Sequence, residues 1–169
     1  PLRLVGSEMC IRDRGMGEPL LNYKNVLLAI DKITDPDGLA MSPRRITLST
    51  SGIPKMIKKM ADDKVKFDLA VSLHSARQEV REKIMPFANK FPLNDLSKSL
   101  AYWYQYTKKQ ITFEYVIWEG INDKKEDIQA LIKFCRQIPS KVNLIQYNPI
   151  DNSLMKEASE EIIESVSYT

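Results

Sequence analysis

Cysteine and histidine are nearly missing from this chain, whose 169 residues include two cysteines, Cys10 and Cys135, and one histidine, His74. Two cysteines cannot build a disulfide framework, so a reducing cytoplasm is the expected compartment. His74 alone lacks the companions of a metal site, and Ser72 with His74 lacks the third group of a hydrolytic triad. Long apolar runs are also missing. None approaches the roughly 18–20 residues of a membrane helix, and no signal-peptide pattern is found, so no membrane partner is expected. Neither sign of charge dominates, and a net charge of +3 permits a nucleic-acid partner without requiring one. The remainder, 43% hydrophobic and 28% charged, is ordinary globular composition with chain enough for one cored domain.

The two ends stand apart from the rest. Val5-Gly6-Ser7-Glu8-Met9-Cys10-Ile11-Arg12-Asp13-Arg14 has neither helical nor strand periodicity and resembles translated sequencing-adapter sequence. Val166-Ser167-Tyr168-Thr169 resembles its companion. The expected division is a non-native leader over 1–14, a domain over 15–164 and a non-native tail over 165–169. A native disordered arm is the alternative for the leader.

Between those ends, hydrophobic period sets the order of elements. Tyr23, Val26, Leu27 and Ile30 form an i, i+3, i+4, i+7 stripe with Asn22 as its cap, and Asp35-Pro36-Asp37-Gly38 ends it. Ile46 and Leu48 mark a short strand running into Ser49-Thr50-Ser51-Gly52. A helix with Pro54 at its start and Ile53, Met56, Ile57 and Met60 on one face follows. Phe67 to Val71 is nearly all apolar, as a parallel strand covered on both faces should be. A long connection from Ser75 to Lys109 has room for two helices, one carrying Leu96, Leu100, Trp103 and Tyr104. Ile111, Phe113, Tyr115 and Ile117 alternate with polar or smaller residues, a period of two. Asn122-Asp123 then opens a helix with Ile128, Leu131, Ile132 and Cys135 on its buried stripe, and Val142 to Tyr147 is a fourth strand. One more helix starts beyond it. Strands alternating with helices predict a parallel α/β sheet or partial barrel.

Short polar signatures sit where those strands end, which is where barrels build their sites. Gly15-Met16-Gly17-Glu18-Pro19 lets backbone approach a ligand and offers a carboxylate to an ammonium group, although two glycines ahead of a helix also make a plain turn. Ser49-Thr50-Ser51-Gly52 supplies hydroxyls and N–H groups suited to a carboxylate or a ribose, with a helix cap as the simpler use. Ser72-Leu73-His74 follows the second strand, and Asn148-Pro149 follows the fourth. Glu114, inside its strand, needs a partner if it is buried. Lys55, Lys58 and Lys59, with Lys64, Lys66, Arg44 and Arg45 nearby, are either a solvated face or an RNA footprint.

In order and spacing, these signatures resemble the radical S-adenosylmethionine (SAM) dual-specificity 23S rRNA/tRNA adenine-C2 methyltransferases. The segments that carry the resemblance are Gly15-Met16-Gly17-Glu18-Pro19-Leu20-Leu21-Asn22, Arg44 through Gly52, Ser72-Leu73-His74, Glu114-Tyr115-Val116 and Asn143 through Pro149. The resemblance implies a partial (β/α)6 barrel lacking its first strands and its C-terminal segment. It implies SAM contacts from Gly17, Glu18, Ser49, Ser72, Leu73, His74 and Asn148. The family's [4Fe–4S] cluster is held by a C-x3-C-x2-C run, and its methyl group travels on a cysteine near the C-terminus. Neither is found in this sequence, so the chain by itself is expected to be inactive and to hold no metal. Partners implied are 23S rRNA and tRNA, with a monomeric protein in the cytoplasm. The related adenine-C8 methyltransferases and a catalytically silent RNA-binding relative are the alternatives, and Pro19 directly after Glu18 favours C2.

Overall fold

Four parallel strands follow one another across a single sheet in chain order, each paired with the next. The structure is a computed structural model and describes residues 17–148 and 155–159. The strands are β1 (Thr47–Thr50), β2 (Asp68–Ser72), β3 (Ile111–Ile117) and β4 (Ser140–Gln146). A 3-10 turn (Pro19–Asn22) leads into α1 (Tyr23–Thr34), and α2 (Pro54–Asp62) links β1 to β2. The long connection does carry two helices, α3 (Gln78–Ile84) and α4 (Leu93–Thr107), and α5 (Lys125–Cys135) links β3 to β4. Sequential parallel order is that of an opened barrel, in which every crossover turns the same way.

The apolar pattern explains the layers. β2 is buried along Leu69, Ala70 and Val71, because helices cover one face while the other looks into the barrel. Ile57 and Met60 of α2 meet Leu96, Leu100 and Trp103 of α4 in one core with Phe113 and Ile111. Each such side chain contributes on the order of 1.5–3 kcal/mol by leaving water. Leu131 and Phe134 seat α5 deepest, while Cys135 is only half-buried beside the core. The deepest line therefore runs through Phe134, one residue away from the expected Cys135. Burial pushes the Cys135 thiol pKa up, as an inert core thiol requires.

Two caps differ from expectation. Asn22 precedes α1 but makes no capping bond to its backbone, and it accepts instead from the Asn25 side chain at 2.7 Å. Asn122 does not open α5, which starts after Lys124, whose backbone N–H donates to Asp127 Oδ2 at 3.2 Å. Asn122 is fully buried in the β3–α5 loop and has another task. Residues 155–159 lie along the end of β3, with Glu157 bridging to Trp118 and Ala158 in the core. Gly15, Pro149 and the expected last helix fall outside the described residues.

Candidate functional site

The 3-10 turn and α1 border a cavity of about 720 Å³ that runs along β1 from Ile46 to its C-terminal tip and reaches Ser72 at the end of β2. That size falls within the usual range for small-molecule sites. Gly17, Glu18, Ser49, Ser51 and Ser72 line its polar side, and Val26, Ile30 and Leu48 its apolar side. Gly17 has φ +107°, a conformation that a side chain would strain.

Glu18 is tied to the tip of β1 by three contacts. Its Oε1 accepts from Thr50 Oγ1 at 2.6 Å, and its Oε2 accepts from Ser51 Oγ at 2.6 Å and Ser51 N at 2.7 Å. Leu20 N donates to Oε1 at 3.0 Å, which caps the 3-10 turn. Hydrogen bonds to an ionised carboxylate are the strong ones, and four donors occupy its two oxygens. The hydroxyls of Thr50 and Ser51 thus do not cap α2, whose preceding residue, Ile53, makes no side-chain cap. Thr50 Oγ1 also accepts from Gly52 N at 3.0 Å, which shapes the turn. Gly52 sits at φ +94°, and a Cβ there would meet Leu96 Cδ1 at 2.9 Å. Only glycine fits both demands.

The corner after β2 is held from below. Arg81 of α3 is wholly buried and donates from Nη2 to Ser51 O at 2.7 Å and Ser72 O at 3.3 Å, and from Nε to Leu73 O at 3.1 Å. One guanidinium thereby joins the tips of two strands. Burial lowers its pKa from 12.5 to about 10, so it stays charged at neutral pH. That shift marks a desolvation cost on the order of 3 kcal/mol. Nothing in the sequence around Arg81 announced this role, since buried arginines are rare and α3 has no strong apolar stripe.

His74 takes φ +53° and accepts from Val116 N at its Nδ1, 3.1 Å away, with the ring edge-on to Trp118. Asn122 Nδ2 donates to His74 O at 2.6 Å and to Val116 O at 2.8 Å, while its Oδ1 accepts from Trp118 N at 2.8 Å. Across the strand register Ser72, Glu114 and Asn143 stand side by side. Glu114 is buried, and Asn143 Nδ2 donates to its Oε2 at 2.7 Å, the partner that its burial demanded.

The structure therefore brings Gly17, Glu18, Ser49 and Ser72 to one cavity and adds Ser51, part of the polar turn after β1 but not among the SAM contacts the resemblance implied. Leu73 points its side chain into the core. His74 and Asn148 follow β2 and β4 at the same strand ends but do not line that cavity, and Asn148 is exposed. Three strand spacings separate β1 from β4, roughly 14 Å, so a ligand reaching from Glu18 to Asn148 has to lie across the tips. Among the described residues no three His, Cys, Asp or Glu side chains group as a metal site. No helix among them is long and apolar enough to cross a membrane.

No protein-family model matches the chain. Over 149 residues it is 65% identical to a probable dual-specificity RNA methyltransferase RlmN of Flavobacterium johnsoniae, a match covering 88% of this chain and 43% of that protein. The fold superposes on a crystal structure of a radical SAM methyltransferase from Sphaerobacter thermophilus with a TM-score of 0.87 at 31% identity, covering 91% of this chain and 45% of that one. A domain of a pyruvate-formate lyase-activating enzyme from Bacteroides vulgatus superposes at a TM-score of 0.64 and 18% identity, over 91% of this chain and 88% of the domain, and supports the fold alone. The chain spans less than half the length of the curated relatives it matches. By this similarity, and with the partial barrel of a radical SAM fold, the chain belongs to the RlmN dual-specificity RNA methyltransferase family.

Proposed function

We propose that this chain is the central part of a radical SAM methyltransferase acting on C2 of adenine in 23S rRNA and tRNA, through a methylated cysteine. The observation that carries this reading is the 65% identity over a stretch whose polar signatures, Glu18, Ser49 and Ser72, line one cavity. SAM is the ligand assigned to the cavity and the neighbouring strand tips, with contacts from Gly17, Glu18, Ser49, Ser72, Leu73, His74 and Asn148. Glu18 faces a ligand ammonium with both oxygens already taken, so binding requires the Thr50 or Ser51 hydroxyl to turn away. Leu73 has its side chain in the core and its carbonyl and N–H already paired, so its part in the contact is to set the positions of Ser72 and His74 on either side.

The [4Fe–4S] cluster and the methyl-carrying cysteine are assigned to parts of the parent protein outside residues 15–164, because the described residues do not offer a cluster's donor set. On this reading the chain does no chemistry alone. Residues 1–14 and 165–169 are assigned to non-native sequence. An RNA substrate finds support in a groove of about 400 Å³ where Lys55, Lys58, Lys90 and Lys98 gather beside the first turns of α2 and α4. Those turns lie on the same side as the cavity, so phosphates there would hold a flipped-out adenine near the strand tips. A monomer in the cytoplasm completes the proposal.

The test is the parent protein, completed to full length and reconstituted without oxygen. Methylation of 23S rRNA at adenine C2 is the expected product. Product at C8 alone refutes the regiochemistry, and RNA binding with no methylation favours a silent relative.

A further inference from the structure

Two buried side chains from separate elements converge on the corner Ser72-Leu73-His74, and between them they take all three of its carbonyls. Arg81 holds those of Ser72 and Leu73, and Asn122 holds that of His74. The N–H groups of Leu73 and His74 both donate to Glu114 O, at 3.0 and 3.2 Å. Little of this backbone is left for anything else, and the side chains of Ser72 and His74 become what the corner presents. A histidine at φ +53° persists only where its surroundings over-determine it. Here the surroundings also choose its tautomer. Val116 N–H donates to Nδ1, so Nδ1 carries a lone pair and the neutral ring holds its proton on Nε2.

We propose that Arg81 and Asn122 are positioning residues of the ligand site, which keep Ser72 at the cavity wall and hold His74 as its Nε2–H tautomer. The proposal rests on the SAM reading for its ligand, but the clamp itself is visible without one. Lysine cannot replace Arg81, because a single ammonium does not span Ser51 O and Leu73 O as Nη2 and Nε do. Aspartate cannot replace Asn122, because its second oxygen would confront the carbonyls of His74 and Val116.

His74 is the chain's one histidine, so its two ring nitrogens give unambiguous signals in long-range proton–nitrogen spectra. The unsubstituted chain is expected to show Nδ1 as a pure acceptor and Nε2 protonated, and the reverse tautomer overturns the proposal at once. Asn122→Asp keeps the acceptor for Trp118 N–H and is expected to average the two nitrogens. Arg81→Lys is expected to do so in part. In both, affinity for SAM, read by titration, should fall about tenfold, as the loss of a buried hydrogen-bonding unit implies. Lys109→Met, at the opposite end of the strands, should change neither reading. Ring nitrogens unaltered in both variants overturn the positioning role. Altered nitrogens with unaltered SAM affinity overturn its connection to the ligand. An unsubstituted chain that shows the Nε2–H tautomer and takes up no SAM overturns the SAM reading and leaves only a structural clamp. If Asn122→Asp does not fold, as its amide spectrum will tell, Arg81→Lys carries the decision.

Discussion

The two ends of the same strands are built on different terms. At the N-terminal end, Lys109 Nζ ties Phe67 O at 3.0 Å and Asp68 Oδ1 at 2.9 Å, and also holds Lys66 O, with both charged side chains partly in water. At the C-terminal end, Thr50, Arg81, Glu114 and Asn122 are each at most 2% exposed, and each reaches residues distant in sequence. Water can replace a contact at the first end. At the second, burial leaves water little access, so geometry is fixed at the end where the proposed ligand site lies.

Arginine against lysine should divide the two ends most sharply. Arg81→Met removes a buried donor shared by the carbonyls of Ser51, Ser72 and Leu73, and a loss of about 2–3 kcal/mol is expected in urea unfolding. Lys109→Met leaves its partners open to solvent and should cost less than about 1 kcal/mol. Equal losses would erase the distinction between the ends.

Left-handed residues sharpen it next. Gly52→Ala meets both a forbidden φ and Leu96, and about 1–3 kcal/mol of destabilisation is expected. Lys108 ends α4 at φ +55°, and its side chain makes only an exposed contact 5.9 Å from the Tyr104 ring, so Lys108→Gly should gain up to about 1 kcal/mol by thermal unfolding. A loss at Lys108 would show that this end too is tuned to its side chains.

What the sequence made legible follows the same division. β3 was readable because Ile111, Phe113, Tyr115 and Ile117 keep a local period of two, and the need for a partner at Glu114 followed from its place in that pattern. The identity of that partner, Asn143, depended on strand register, which periodicity does not supply. Ser49 to Gly52 had a local explanation, a helix cap, and the structure spends two of its hydroxyls on a carboxylate more than thirty residues earlier. Asn122 read as a helix opener for the same reason, because its true partner His74 lies 48 residues away. Local signals report local bonds, and the contacts made across the strand tips are mostly nonlocal.

The smallest effect expected lies at the end of α2, where water already competes. Asp63 accepts from Tyr23 Oη at 2.8 Å and pairs with Lys59 at 3.0 Å. The Tyr23 hydroxyl, and then Lys59, hold its carboxyl below the usual value of 3.8. A depressed carboxylate pKa means that the unfolded chain takes up the proton first as acid is added. The contribution is therefore complete above about pH 4 and is lost as the pH falls through the lower folded value. Tyr23→Phe removes the larger of the two causes, so the stability difference between it and the unsubstituted chain should close on acidification. Asp63 is a third exposed, which keeps that difference small. A difference that persists unchanged to pH 2 would mean that the tyrosine acts through its packing in the core, where it is 7% exposed, and not through the carboxylate.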